Sequence, residues 1–216
     1  MSTVIADKRF SRFQVIHVIL AFVIASSGLS LFMMDDEVYK VRMQTEVSEA
    51  MNILSREDWN SIERKVTRRY NSFYYDSGLY EQVNKLFIPH VQHIGSELID
   101  KSHLYRLVNN TSIFFYQVVY RVTTLEYWLS LALPFMVCLV VHGFYRWRIN
   151  RYRMGGANTS RARIYMKLIW FSIMSLFVML ATPNYFSSMG VFMPVSVMLL
   201  VAFVLSRFIA SYQKDF

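Results

Sequence analysis

Two residues separate His90 from His93, so a helix carries both on one side with Glu97 a further turn along. Such a trio offers a divalent cation two imidazole nitrogens and one carboxylate oxygen. No cysteine cluster accompanies them, since Cys138 is the chain's single cysteine. HxxH pairs also arise often by chance, and Phe87, Ile88 and Val91 around this one suit burial equally well. A surface or packing role is therefore the expectation, with His90 and His93 kept only as metal candidates.

Two more histidines, His17 and His142, lie within apolar runs, where ionisable groups often mark ion paths or proton relays. A working relay normally includes carboxylates at the same depth, and these runs contain no Asp, Glu, Lys or Arg away from their ends. Neutral imidazoles bonded to a neighbouring helix are the expectation, which argues against proton-coupled transport. The chain has no GxGxxG, P-loop, GxSxG or HExxH pattern. It reads as a protein that is not an enzyme and needs no cofactor, and any ATP hydrolysis would come from a partner.

The densest chemistry is cationic. "YRWRINRYRMGGANTSRARIYMK", residues 145 to 167, holds seven positive side chains and no negative one: Arg146, Arg148, Arg151, Arg153, Arg161, Arg163 and Lys167. Trp147 and the tyrosines interleave with the first four, and Gly155-Gly156 separates the two groups. Positive charge with aromatic rings is what single-stranded nucleic acid requires. These rings, however, stand where aromatic side chains settle at a membrane interface anyway, so direct nucleic-acid contact is not expected. Anionic lipid headgroups fit the arrangement, each basic group near the surface contributing about 1 kcal/mol. Docking onto an acidic partner protein fits it as well. Arg146, Trp147, Arg148, Arg151, Arg153, Arg161, Arg163 and Lys167 are the candidate docking residues.

The elements that position this segment are read from hydropathy. The 216 residues are 54% hydrophobic, above the roughly 45–50% usual in soluble domains. About 18 to 20 uncharged apolar residues suffice to cross a bilayer as a helix, and four stretches approach that: 13–34, 126–144, 164–182 and 190–206. The first resembles a signal peptide at Ala25-Ser26-Ser27, but its apolar run continues and it reads as a retained anchor. Pro183 breaks the chain between the last two, whereas Pro134 and Pro194 fall inside spans, where a kink is the ordinary outcome.

Basic residues in short loops mark the cytoplasmic side. The N-terminus 1–12 carries Lys8, Arg9 and Arg12, the basic loop 145–163 leads into Lys167, and the tail 207–216 carries Arg207 and Lys214. Four spans put all three on one side, leaving residues 35–125 and the turn 183–189 on the other. The net charge of +8 belongs to the first side, because residues 35–125 hold twelve acidic and eleven basic groups. The expected class is all-α, with four transmembrane helices and a helical periplasmic domain between the first two.

Within that domain, Val38, Val41, Thr45, Met51 and Leu54, then Ile62, Val66, Tyr70, Phe73 and Tyr74, recur at three- and four-residue intervals and predict two helices. A third is expected over Leu79 to Ile99. "SIFFYQVVYRVTTLEYWL" predicts a fourth that enters the second span without a stop signal. The many aromatic residues, Trp59, Tyr75 and Tyr80 among them, read as core plus interfacial belt. Arg64, Lys65, Arg68 and Arg69 read as solvated faces paired with Glu57, Asp58 and Glu63. Asn109 and Asn110 open N-x-Ser/Thr patterns, which matter only in a eukaryotic secretory route.

"RWRINRYRMGGANTSRARIYMK", followed by an apolar span and "ATPNYFSSMGVFMP", resembles the small multi-spanning membrane proteins of integrating conjugative elements and conjugative plasmids. The order of one anchor, an outer domain and three further spans matches that family. Its members are similar to the TraJ-type proteins that accompany the type IV coupling protein, the membrane ATPase that delivers relaxase-bound DNA to the secretion channel. The resemblance implies that ATPase as partner, a hetero-oligomer, a Gram-negative inner membrane and no catalytic residues. A small-molecule or lipid transporter, or another structural subunit of a secretion complex, is the alternative.

Overall fold

The computed structural model describes residues 12–87, 101–152, 159–182 and 192–211, and every regular element among them is helical. In chain order these are α1 (Arg12–Met33), α2 (Asp36–Ile53), α3 (Arg56–Tyr70), a π-helical turn (Asn71–Asp76), α4 (Leu79–Phe87), α5 (Lys101–Arg151), α6 (Thr159–Ala181) and α7 (Phe192–Ser211). The predicted helix over Leu79 to Ile99 is described only as far as Phe87.

α5 is the mast of the molecule. Its 51 residues extend about 77 Å at 1.5 Å per residue, more than twice the thickness of a hydrocarbon core. It continues through Pro134. One half carries a cap of α2, α3, the π turn and α4, and the other half carries α6 and α7. Among the described residues, three helices are long and apolar enough to cross a membrane, within Leu104–Asn150, Ala162–Leu180 and Pro194–Ser211. The apolar stretch His17–Met33 of α1 is shorter.

Local signals explain the cap. Ser55 ends the α2–α3 link: its hydroxyl accepts from the backbone N–H of Asp58 at 3.2 Å and donates to the Asp58 carboxylate at 2.6 Å, a reciprocal cap for the start of α3. Glu57 and Asp58 then sit in the first turn and Arg68 and Arg69 in the last, each sign where the helix dipole favours it. The π turn ends at Gly78, whose φ of +74° suits a residue without a Cβ.

The cap's core joins Met43 and Ala50 of α2, Trp59, Ile62 and Val66 of α3, and Tyr120 of α5, with Val47, Leu54, Ile113 and Val119 against them. α3 buries the stripe that its spacing predicts. α2 does not: Val38, Val41, Thr45 and Met51 are exposed, and the buried face is Tyr39, Met43, Glu46 and Ala50. The apolar residues of α2 mislead because its core face contains a carboxylate, which α5 neutralises.

α5 also ties the ends of other elements. Asn110, fully buried, donates from Nδ2 to the carbonyls of Leu31 at 3.1 Å and Met34 at 2.9 Å, closing the C-terminal end of α1. Asn109 Nδ2 reaches Asp36 Oδ2 at 3.0 Å. The bond from Lys40 on the same carboxylate, more than any other cause, holds Asp36 below the usual carboxylate range. Neither Asn side chain is thus placed for a glycan. Arg69 pairs not with the acids of α3 but with Glu126 of α5 at 2.5 Å, and also reaches Thr123 Oγ1 at 3.3 Å.

Candidate functional site

The candidate docking residues sit at one end of the helical bundle. α7 runs parallel to α5, because Gly143 faces Ser206 and, farther along both helices, Asn150 Nδ2 donates to the carbonyl of Ala210 at 3.1 Å. α6 runs the opposite way: its C-terminal carbonyls meet Arg121 midway along α5, while only residues 152–158 separate its first turn from the end of α5. The C-terminal turns of α5 and α7 and the N-terminal turns of α6 therefore lie at the same end.

At that end Arg146 and Arg148 are exposed on α5, with Trp147 half-buried between them, and Arg163 and Lys167 are exposed on α6. Arg207 of α7 joins them, its guanidinium carbon 5.1 Å from the centre of the Phe203 ring. Arg151 and Arg161 belong to α5 and α6, and Arg153 lies outside the described residues. The segment from Tyr145 to Arg151 is helix rather than loop, so its arginines are carried on a rigid rod. Exposed cations on converging helix ends form a surface that attracts anions without enclosing one.

The metal candidates His90 and His93 lie outside the described residues. His17 on α1 and His142 on α5 are both exposed side chains.

A second polar centre, buried rather than exposed, lies at the junction of cap and bundle. Arg121 and Glu46 form an ion pair in which each side chain is only 3% exposed. Arg121 Nε donates to Glu46 Oε1 at 2.8 Å and Nη2 to Oε2 at 2.9 Å, the two-pronged geometry that a planar guanidinium favours. Its remaining nitrogen, Nη1, donates to the carbonyls of Met179 and Thr182, both at 2.7 Å. Met179 is in the last turn of α6 and Thr182 directly follows it, where the helix dipole and the carbonyls of the helix end favour a cation.

The network extends sideways. Gln117, one turn before Arg121, donates from Nε2 to Glu46 Oε2 at 2.8 Å and accepts at Oε1 from the Tyr39 hydroxyl at 3.2 Å. Burial pushes that hydroxyl above the ordinary phenol range, with the Arg121 charge working against the rise. Tyr39 thus stays a neutral donor. Removing one member of such a buried pair typically costs about 3–5 kcal/mol, because the other charge is left without a partner.

Sequence reading missed Tyr39, Glu46, Gln117 and Arg121. Two signals point to them. Tyr39, Met43, Glu46 and Ala50 follow 4-3-4 spacing with a carboxylate in the stripe, and Gln117 and Arg121 are an i, i+4 polar pair inside the apolar run of α5.

The architecture defines a class: an all-helical chain with apolar helices of membrane-crossing length gathered beside one half of a long central helix, and a helical cap on the other. Residues 23–213 match the family model described as IncC plasmid conjugative DNA transfer protein DtrJ-like, and the chain belongs to this DtrJ-like family. Its role accordingly lies in conjugative DNA transfer. No curated protein and no solved structure matches the chain.

Proposed function

We propose that the chain is a non-enzymatic, four-span inner-membrane accessory subunit that associates with the type IV coupling protein ATPase during conjugative DNA transfer. Membership in a conjugative DNA transfer family carries this reading. The fold adds physical support, because three apolar helices of sufficient length have their cationic ends on one side. That charge asymmetry is how a multi-span protein fixes its basic side in the cytoplasm.

On this reading α1 is the fourth span, the cap is periplasmic, and both termini are cytoplasmic. The basic end rests on anionic lipid headgroups and meets the ATPase beside its own membrane helices. The part played is assembly, with the chemistry supplied by the partner.

Co-expression of the tagged protein with the coupling ATPase of the same conjugative element, followed by extraction in mild detergent, tests the reading. The ATPase is expected to co-purify at a fixed ratio. A tagged protein that extracts alone while the ATPase is present and folded overturns it.

A further inference from the structure

Arg121 uses one planar group to hold two separate parts of the molecule. Nε and Nη2 grip the Glu46 carboxylate on α2, in the cap, and Nη1 grips the end of α6, in the bundle. A two-pronged ion pair has little tolerance for sliding: shifting α2 along α5 separates the charges, and neither can turn to water because both side chains are only 3% exposed. The contact is therefore either complete or broken.

We propose that the Glu46–Arg121 pair is a latch through which the position of the cap controls how the end of α6 is seated on α5. With the pair made, the guanidinium is fixed in orientation by Glu46, itself held by Gln117, so Nη1 points at Met179 and Thr182. When α2 moves, Arg121 loses the carboxylate that orients its guanidinium, and the hold of Nη1 on the α6 carbonyls loosens. α6 is a continuous helix from Thr159 to Ala181, so a change of seating at its cap end is carried to Arg163 and Lys167 at the other. The latch gives a contact made on the cap a route to the basic end. That consequence rests on the basic end being a docking surface, whereas the latch itself does not.

Native-state hydrogen exchange on the full chain in lipid nanodiscs, without any ATPase, tests the latch independently of the proposed partner. The first variant is Glu46→Gln, a change made on α2 alone. The latch predicts that amides at the end of α6 and in the residue after it, Val178 to Thr182, lose protection by about 100-fold or more, the factor corresponding to an unpaired buried charge. A role confined to holding α2 predicts loosening of α2 with α6 unchanged, and that result overturns the proposal.

Should Glu46→Gln unfold the cap, the double variant Glu46→Met/Arg121→Met removes both charges and restores apolar contact, a replacement that buried pairs commonly tolerate. Here the latch predicts that α2 keeps its protection while the end of α6 loses it. Retained protection at Val178 to Thr182 in the double variant refutes the latch, since the end of α6 would then seat without Arg121.

Discussion

Gly143 on α5 lies against the backbone of Ser206 on α7 so closely that a Cβ at position 143 would stand 2.7 Å from the Ser206 carbonyl oxygen and 2.9 Å from its Cα. Glycine is what lets the two parallel helices approach, and approach through small residues is a principal source of helix association in apolar surroundings. Backbone cannot move aside as a side chain can. Gly143→Ala is therefore expected to separate α5 from α7, at a cost of about 1–3 kcal/mol typical of overpacking. Gly28 on α1 is the control, because nothing lies within 4 Å of its Cβ position. Thermal melts in detergent should show a lowered Tm for Gly143→Ala and an unchanged or raised one for Gly28→Ala.

Asn110 predicts a different kind of loss. Its amide satisfies the carbonyls of Leu31 and Met34 at the end of α1, and it does so without any contact with water. Asn110→Ala removes both of these part-buried hydrogen bonds, at about 0.5–1.5 kcal/mol each. Asn110→Asp should be worse, since a carboxylate faces two carbonyl oxygens. Limited proteolysis across the junction of α1 and α2 should speed up in the order wild type, Ala, Asp. Equal cleavage rates in all three would contradict the capping role.

Alkaline pH should weaken the cap before it affects the rest. Burial lifts the Tyr70 hydroxyl from 10.0 to about 12, with the Ser112 hydrogen bond opposing the rise. Burial likewise raises Tyr74 and Tyr39. The folded state therefore keeps protons that the unfolded state releases once pH passes the unfolded value of 10.0, so stability is fully present below that pH and declines as pH rises through the folded values. Tyr70→Phe removes one of these groups. Its stability should fall less steeply with rising pH, read by denaturant melts at a series of alkaline pH values. A slope identical to that of the wild type would mean that Tyr70 titrates normally.

The sequence made the large elements plain and concealed the junction. α6 and the middle of α5 are legible because long apolar runs specify helix, which continues through Pro134, and the helix of α3 is legible because Ile62 and Val66 keep the period of a buried stripe. α2 was legible as a helix but not in its facing: Val38 and Val41 are exposed, whereas Glu46 turns inward beside Met43 and Ala50, since Arg121 supplies the opposite charge from 75 positions away in sequence. A pair so distant leaves no local pattern, and a lone arginine in "FYQVVYRVTT" looks like an interruption until α6 is known to end beside it. The basic segment was legible as charge and, as a connection between two spans, as the meeting of two basic helix ends; that Tyr145 to Arg151 continues α5 as helix shows only in the fold.

The basic end permits a test that separates orientation from contact. Arg146, Arg148, Arg163 and Lys167 are exposed, and replacing all four with Gln leaves Arg151, Arg153 and Arg161 as positive charges in the same segment. Orientation depends on an excess of basic residues, and three remain, so insertion and topology should be unchanged when read by cysteine labelling from either side. Contact with lipid depends on each charge near the surface, at about 1 kcal/mol apiece, so retention of phosphatidylglycerol through detergent extraction should fall steeply. DNA transfer by a strain carrying the variant then decides what the surface contacts. If transfer persists while the lipid is lost, the arginines serve the bilayer alone. If transfer fails and the variant remains correctly inserted, they also meet a protein, because a uniform loss of headgroup contacts does not by itself remove a subunit from its complex.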